Sequence, residues 1–204
     1  MDTPTDETRE RRAPDPRRRS ERARRAILDA AAELIVEVGY AKLTMDAIAA
    51  RAKVGKQTIY RWWPSKAVVV LDVFERMTGV PGSALPDTGD LAADLRTVLH
   101  ATVDEFASPE TDRVARAFTA EIQHDPELAA TVAERLTRPN DEALRERLRA
   151  ARAAGQLDPD LDLDIALELV TAPITRRWLM RTAPLTHAYV DELLDTALRA
   201  IGPR

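Results

Sequence analysis

The side chains best placed to do chemistry in this 204-residue chain lie in the run KQTIYRWW, residues 56–63. Ile59 and Trp63 stand one helical turn apart, and a short helix here would bury both. Lys56, Gln57, Thr58, Tyr60, Arg61 and Trp62 would then be left facing outward as a fringe rich in hydrogen-bond donors. Gln57 can pair bidentately with adenine, and Lys56 can reach guanine O6 and N7. This is a chemistry of recognition.

The elements that must hold this fringe are legible around it. Thr44 is a good N-cap, and Asp46 suits the positive end of a helix dipole. They open a first short helix over residues 45–52, with Ile48 and Ala49 facing inward. A tight Lys53-Val54-Gly55 turn follows, relieved by Gly55, which also caps a second helix over residues 56–62. Two short helices joined by a glycine-containing turn, the second carrying donors, describe a helix-turn-helix that lays its second helix in the DNA major groove. The start of each helix points free N–H groups outward, a natural phosphate clamp. Ahead of the motif a helix over 20–38 carries Ile27, Ala31, Leu34 and Val38 on one stripe, with Gly39 as a left-handed cap. Behind it, an apolar helix runs over 66–77.

A first helix ending in Gly-Tyr, then TMDAIAARAKVGKQTIYRWWPSK, then an apolar helix resembles the DNA-binding domain of the TetR family of transcriptional regulators. The resemblance covers roughly residues 20–78. It implies three helices for DNA, a fourth as connector, and a larger helical domain for dimerisation and ligand binding. It also implies that Thr44, Thr58, Tyr60, Trp62 and Lys66 contact phosphates, and that Gly55, Lys56 and Gln57 form the entry of the recognition helix where base edges are met.

Charge supports one-ended binding to a polyanion. Residues 1–66 hold 15 of the 30 Lys and Arg residues but only 10 of the 34 acidic ones, a net of +5, while the rest carries −9, giving the −4 of the whole chain. Residues 1–19 are rich in proline and charge and are expected to form a disordered basic arm. Its Arg17-Arg18-Arg19 run, continued by Arg22, Arg24 and Arg25, either tracks DNA or is merely solvated. The chain has no cysteine, which excludes disulfides and thiol catalysis and fits a cytoplasmic protein. No run of 18 uncharged apolar residues is present, so no membrane span is expected.

Residues 79–89 (GVPGSALPDTG) form the clearest linker, and beyond it every pattern is helical. Helices are expected over 90–107, 109–123, 126–137, 140–154, 163–181 (kinked at Pro173) and from the Thr186 cap to 200, making the chain all-α. The domains are thus an arm (1–19), a DNA-binding domain with its connector (20–78), a linker (79–89) and a helical dimerisation and ligand domain (90–204). Leu99, Val103 and Phe106 share one helix face, Phe118 and Ile122 another, and Trp178 has Arg176 beside it. These seven could wall a ligand pocket or be ordinary core, and a pocket is expected mainly on the resemblance. Arg176 and Arg177 favour an aromatic or anionic effector. Leu167, Val170 and Ile174 form one late stripe and Val190, Leu194, Ala197 and Ile201 a second, which could pair across a two-fold axis as a four-helix bundle, or half of each could cover the monomer's own core.

His100, His124 and His187 sit on or near separate helices without a metal-ligand or catalytic motif, and no phosphate loop is present. No cofactor, metal or enzymatic activity is expected. Two readings remain: a dimeric repressor that a small molecule releases from a pseudo-palindromic operator, and a DNA-binding or architectural regulator that needs no ligand. An enzyme is a distant third.

Overall fold

The computed structural model describes residues 16–79, 82 and 84–203. Over these residues the chain is helical throughout: α1 (Pro16–Val38), a 3₁₀ turn (Tyr40–Lys42), α2 (Met45–Arg51), α3 (Lys56–Tyr60), α4 (Lys66–Thr78), α5 (Leu91–Ala107), α6 (Pro109–Glu121), α7 (Pro126–Val132), a π-helical turn (Ala133–Thr137), α8 (Arg138–Ala153), α9 (Leu163–Met180) and α10 (His187–Ile201). Residues 1–15, most of the expected arm, lie outside the described residues, as do the side chains of Arg17, Arg18 and Arg19. Residues 16–19 belong to α1, so the helix starts four residues earlier than the sequence pattern predicts.

Side-chain caps set most boundaries. Thr44, Ser65, Asp90, Ser108, Asp125, Asp162 and Thr186 each accept a hydrogen bond from a backbone N–H of the helix they open. Pro109 and Pro126 follow two of these caps at positions where a missing N–H costs nothing.

Two expectations about the backbone change. Lys53, not Gly55, takes the left-handed conformation in the helix-turn-helix turn, with φ 56° against −70° for Gly55. Gly55 serves only as an extended N-cap. The break expected near Pro139 is absent, because α7 passes through the π turn directly into α8. A π turn shifts the hydrogen-bond register, so Pro139 enters the first turn of α8, where no N–H is required. Pro173 lies, as expected, inside α9, which runs from Leu163 to Met180.

Two cores form, and they do not divide at the linker. The first joins α1–α4 to Val114, Ala115 and Phe118 of α6, Leu128 and Val132 of α7, and Trp178 of α9. Phe74 of the connector meets Phe118 edge-on at 4.8 Å. The second core takes α5, α8, α9 and α10. It contains Arg147 and Asp94, both almost fully buried, with Nε 2.8 Å from Oδ2. Burial opposes the charge on Asp94, yet hydrogen bonds from Thr88 and Arg147 hold its carboxyl below the usual range. Thr88 thereby ties the end of the linker to α5.

The stripes expected to form a dimer are this second core. Leu167, Val170, Ile174, Val190, Leu194, Ala197 and Ile201 are all buried within the single chain, so they are not free to meet a partner. The reason is that α9 is apolar on more than one face. Its outer face exposes Ile165 (52%), Leu169 (42%), Leu179 (43%) and Met180 (65%). Val38, expected on the inward stripe of α1, is 42% exposed at the helix end.

Candidate nucleic-acid interface and effector cavity

The helix-turn-helix is anchored from below. Ile48 and Ala49 of α2, Ile59 of α3 and Trp63 just beyond it are buried in the first core, as their spacing predicts. Thr44 Oγ1 accepts from Ala47 N at 3.1 Å. The anchor that the sequence did not suggest is Asp72 of α4. It lies 7% exposed within the apolar stretch of that helix, where Oδ2 accepts from Trp63 Nε1 at 2.9 Å and from Arg24 at 3.0 Å. Its other oxygen accepts from Arg135 of the π turn at 2.6 Å. A lone acid within VVVLDVF was the available signal, since a buried carboxylate must find donors.

The outward fringe is largely as expected. Lys56, Gln57, Tyr60 and Arg61 are exposed and Thr58 is half-buried. Arg61 and Trp62 lie past the end of α3 rather than within it. Trp62 is half-buried, edge-on to Trp63 at 5.5 Å, with the Arg61 guanidinium 5.1 Å from its ring. Two cations are already engaged. Lys56 Nζ lies 2.6 Å from Asp46 Oδ2, a hydrogen bond that raises its pKa. Lys66 Nζ donates to Tyr40 O at 3.0 Å and sits 4.2 Å from the Tyr40 ring centre. Beside α3, an open cleft of about 710 Å³ brings Arg22 of α1 together with Lys53, Gly55, Thr58 and Arg61.

The residues expected to wall one ligand pocket separate into several places. Leu99 and Phe106 line an open cavity of about 600 Å³ enclosed by α5, α8, α9, the end of α4 and the linker. Phe106 also borders a second recess, of about 480 Å³, with Val103 and Trp178. Phe118 is buried against the connector, and Ile122 packs on that same core. Arg176 faces a third recess with Pro173 and Tyr189. Helical spacing gives the face a residue occupies but not the neighbour it meets. Trp178 is held instead by Asp112 and Arg116: its Nε1 donates to Asp112 Oδ1 at 2.6 Å, and Arg116 lies 4.5 Å from its ring. Burial opposes the Asp112 charge, but hydrogen bonds from Arg116 and Trp178 keep its carboxyl low. His100 and His187 stack at 4.1 Å, each facing an aspartate. No cluster of three or more His, Asp or Glu side chains able to hold a metal occurs among the described residues. No described helix is long and apolar enough to cross a membrane.

A buried helix-turn-helix scaffold with an exposed donor fringe, carried on an all-helical body, defines a DNA-binding regulator. Two family models match: bacterial regulatory proteins of the tetR family over residues 27–73, and a tetracyclin repressor-like C-terminal domain over residues 85–197. The chain is 33% identical to the HTH-type transcriptional regulator YdeS of Bacillus subtilis, covering 91% of this chain and 92% of that one. It is 26% identical to the DNA-binding transcriptional repressor TetR of Mycobacteroides abscessus, covering 88% and 94%. Among solved structures, the TetR family transcription regulator SCO0332 aligns with a TM-score of 0.70 at 32% identity, covering 89% of this chain and 99% of that one. The chain belongs to the TetR family of transcriptional regulators. Its family and fold are those of regulators, not of enzymes.

Proposed function

We propose that this protein is a cytoplasmic, dimeric repressor that leaves a pseudo-palindromic operator when a small molecule enters the 600 Å³ cavity. One observation carries the ligand response. Leu136 lines the cavity, and its neighbour Arg135 grips Asp72, the carboxylate that also receives the Trp63 indole at the foot of the recognition helix. Phe74 and Thr78 of the connector border the same space. An occupant that prefers a different setting of the π turn and connector would alter how α3 is held, and a coupling of about 1–3 kcal/mol suffices for a switch. The repressor role is supported by the name of the mycobacterial relative, and the dimer by the exposed apolar outer face of α9.

In the DNA complex, Lys56 and Gln57 read base edges from the entry of α3. Thr44, Thr58, Tyr60, Trp62 and Lys66 hold phosphates, with Gly55 admitting the backbone and Arg61 reaching the flank. Two recognition helices then address half-sites about one helical turn or somewhat more apart. Footprinting on the DNA flanking its own gene, with titrations at several salt concentrations, tests this. Gln57→Ala should cost about 1–3 kcal/mol on the operator and relax its base preference, whereas Tyr60→Phe should weaken all sequences alike. Failure to find any fragment bound better than random DNA removes the reading.

A further inference from the structure

The walls of the 600 Å³ cavity differ from a general apolar hole in what their polar groups offer. Five threonines line it: Thr78, Thr97, Thr102, Thr171 and Thr175. Each donates its hydroxyl proton to the backbone carbonyl four residues earlier, at 2.9–3.3 Å. Their oxygens therefore present lone pairs only. Asn140 spends its Oδ1 on Gly82 N at 2.7 Å, which leaves its amide as the only side-chain donor among the described lining residues.

Two lining carboxylates lack a cation. Among the described residues no hydrogen bond or ion pair reaches the Glu105 carboxylate, and burial pushes its carboxyl up. Asp141, also pushed up by burial, has Arg145 nearby, but that guanidinium is committed to Asp164 at 2.6 Å and to Glu142. No Lys, Arg or His lines this space among the described residues. Three arginines, Arg116, Arg177 and Arg181, border the smaller recess instead, where Arg116 is bound to Asp112 and to Trp178 O, and Arg177 to Pro184 O. The cavity is thus rich in acceptors, acidic and poor in donors, with apolar walls such as Leu99, Phe106 and Ile174.

We propose that this cavity takes a lipophilic amine in its protonated form, with the ammonium at Glu105 and Asp141 and the apolar body against Leu99, Phe106 and Ile174. Its volume falls in the range of sites for drug-sized ligands, roughly 300–1,000 Å³. An ammonium supplies what the walls lack, namely donors and positive charge, and it would relieve the two unpaired carboxylates. An anion of the same shape would meet lone pairs and negative charge. The aromatic or anionic ligand suggested by Arg176 and Arg177 is therefore disfavoured here. This identification of ligand class rests on the cavity being the effector site.

The test uses the full-length protein and three probes of one shape: octylamine, octan-1-ol and octanoate, titrated calorimetrically at neutral pH. Octylamine should bind at least about tenfold more tightly than octan-1-ol, as expected for hydrogen bonds to a charged group, and octanoate should bind weakest. The near-isosteric double variant Glu105→Gln with Asp141→Asn should erase the amine's advantage, and Ala143→Phe should abolish binding of all three by filling the space. Octanoate binding as tightly as octylamine would overturn the proposal, as would an amine preference that survives the double variant. Octylamine binding undiminished by Ala143→Phe, or no binding of any probe, would also overturn it. Operator affinity is measured separately. Octylamine that binds with the expected preference but leaves DNA binding unchanged supports the cavity chemistry and removes only the effector role.

Discussion

Lys56 stands where an ammonium would read guanine, yet its Nζ is bridged to Asp46 across the helix-turn-helix turn. Both side chains are well exposed, so solvent screens the pair and it contributes little to stability. Its effect belongs to binding. If Lys56 reads DNA as proposed, Asp46 neutralises a recognition-helix cation in the free protein and would release it when a base edge or phosphate competes. Asp46→Asn should therefore strengthen binding to random DNA more than to the operator, narrowing the discrimination between them. The dependence of log affinity on log salt should steepen by about one counterion. Fluorescence anisotropy over a salt series measures both quantities. An unchanged slope would mean that Lys56 does not approach DNA. At this scale the sequence was informative about anchors and less so about partners. Ile59 and Trp63 announce their burial by spacing, whereas the Asp46–Lys56 and Tyr40–Lys66 pairings depend on where the backbone folds back.

The helices themselves were largely readable, because Ser108-Pro109 and Asp125-Pro126 combine a side-chain cap with a proline that needs no donor. The π turn was not. Its sequence, AERLT, carries no local mark, and Pro139 just beyond it resembles a stop. Yet this turn sets Arg135 between Asp72 and Glu75 of the connector, making it, beside α6 and α7, one of the elements through which the cavity half touches the DNA-binding half. If Asp72 links the two, Arg135→Met and Trp63→Phe must not act independently. Each removes a donor from a buried acceptor and should cost about 1–3 kcal/mol. The double variant should depart from additivity by about 0.5–3 kcal/mol in chemical denaturation. Strict additivity would mean that the carboxylate adjusts to each partner separately and transmits nothing.

For the whole molecule, the proposed dimer turns on which face of α9 would meet a second copy. The sequence offers two late stripes, both of which could pair across a two-fold axis, and the fold buries both in the protomer's own core. A hydrophobic stripe shows only that a face is covered, not whether its own chain or a partner covers it. In the fold, Leu194 and Ile201 of α10 close the second core, and the unclaimed apolar surface is Ile165, Leu169, Leu179 and Met180. A charge placed there should act differently from a cavity made within. Leu169→Glu should leave the protomer folded, by circular dichroism, but shift sedimentation from dimer to monomer. It should also weaken operator binding steeply, since each protomer would then hold one half-site. Leu194→Ala should instead destabilise the protomer by about 2–5 kcal/mol, as for other buried leucines. A Leu169→Glu protein that remains dimeric would show that the two-fold contact lies on another surface, and the paired recognition helices would then need a different geometry to reach one face of DNA.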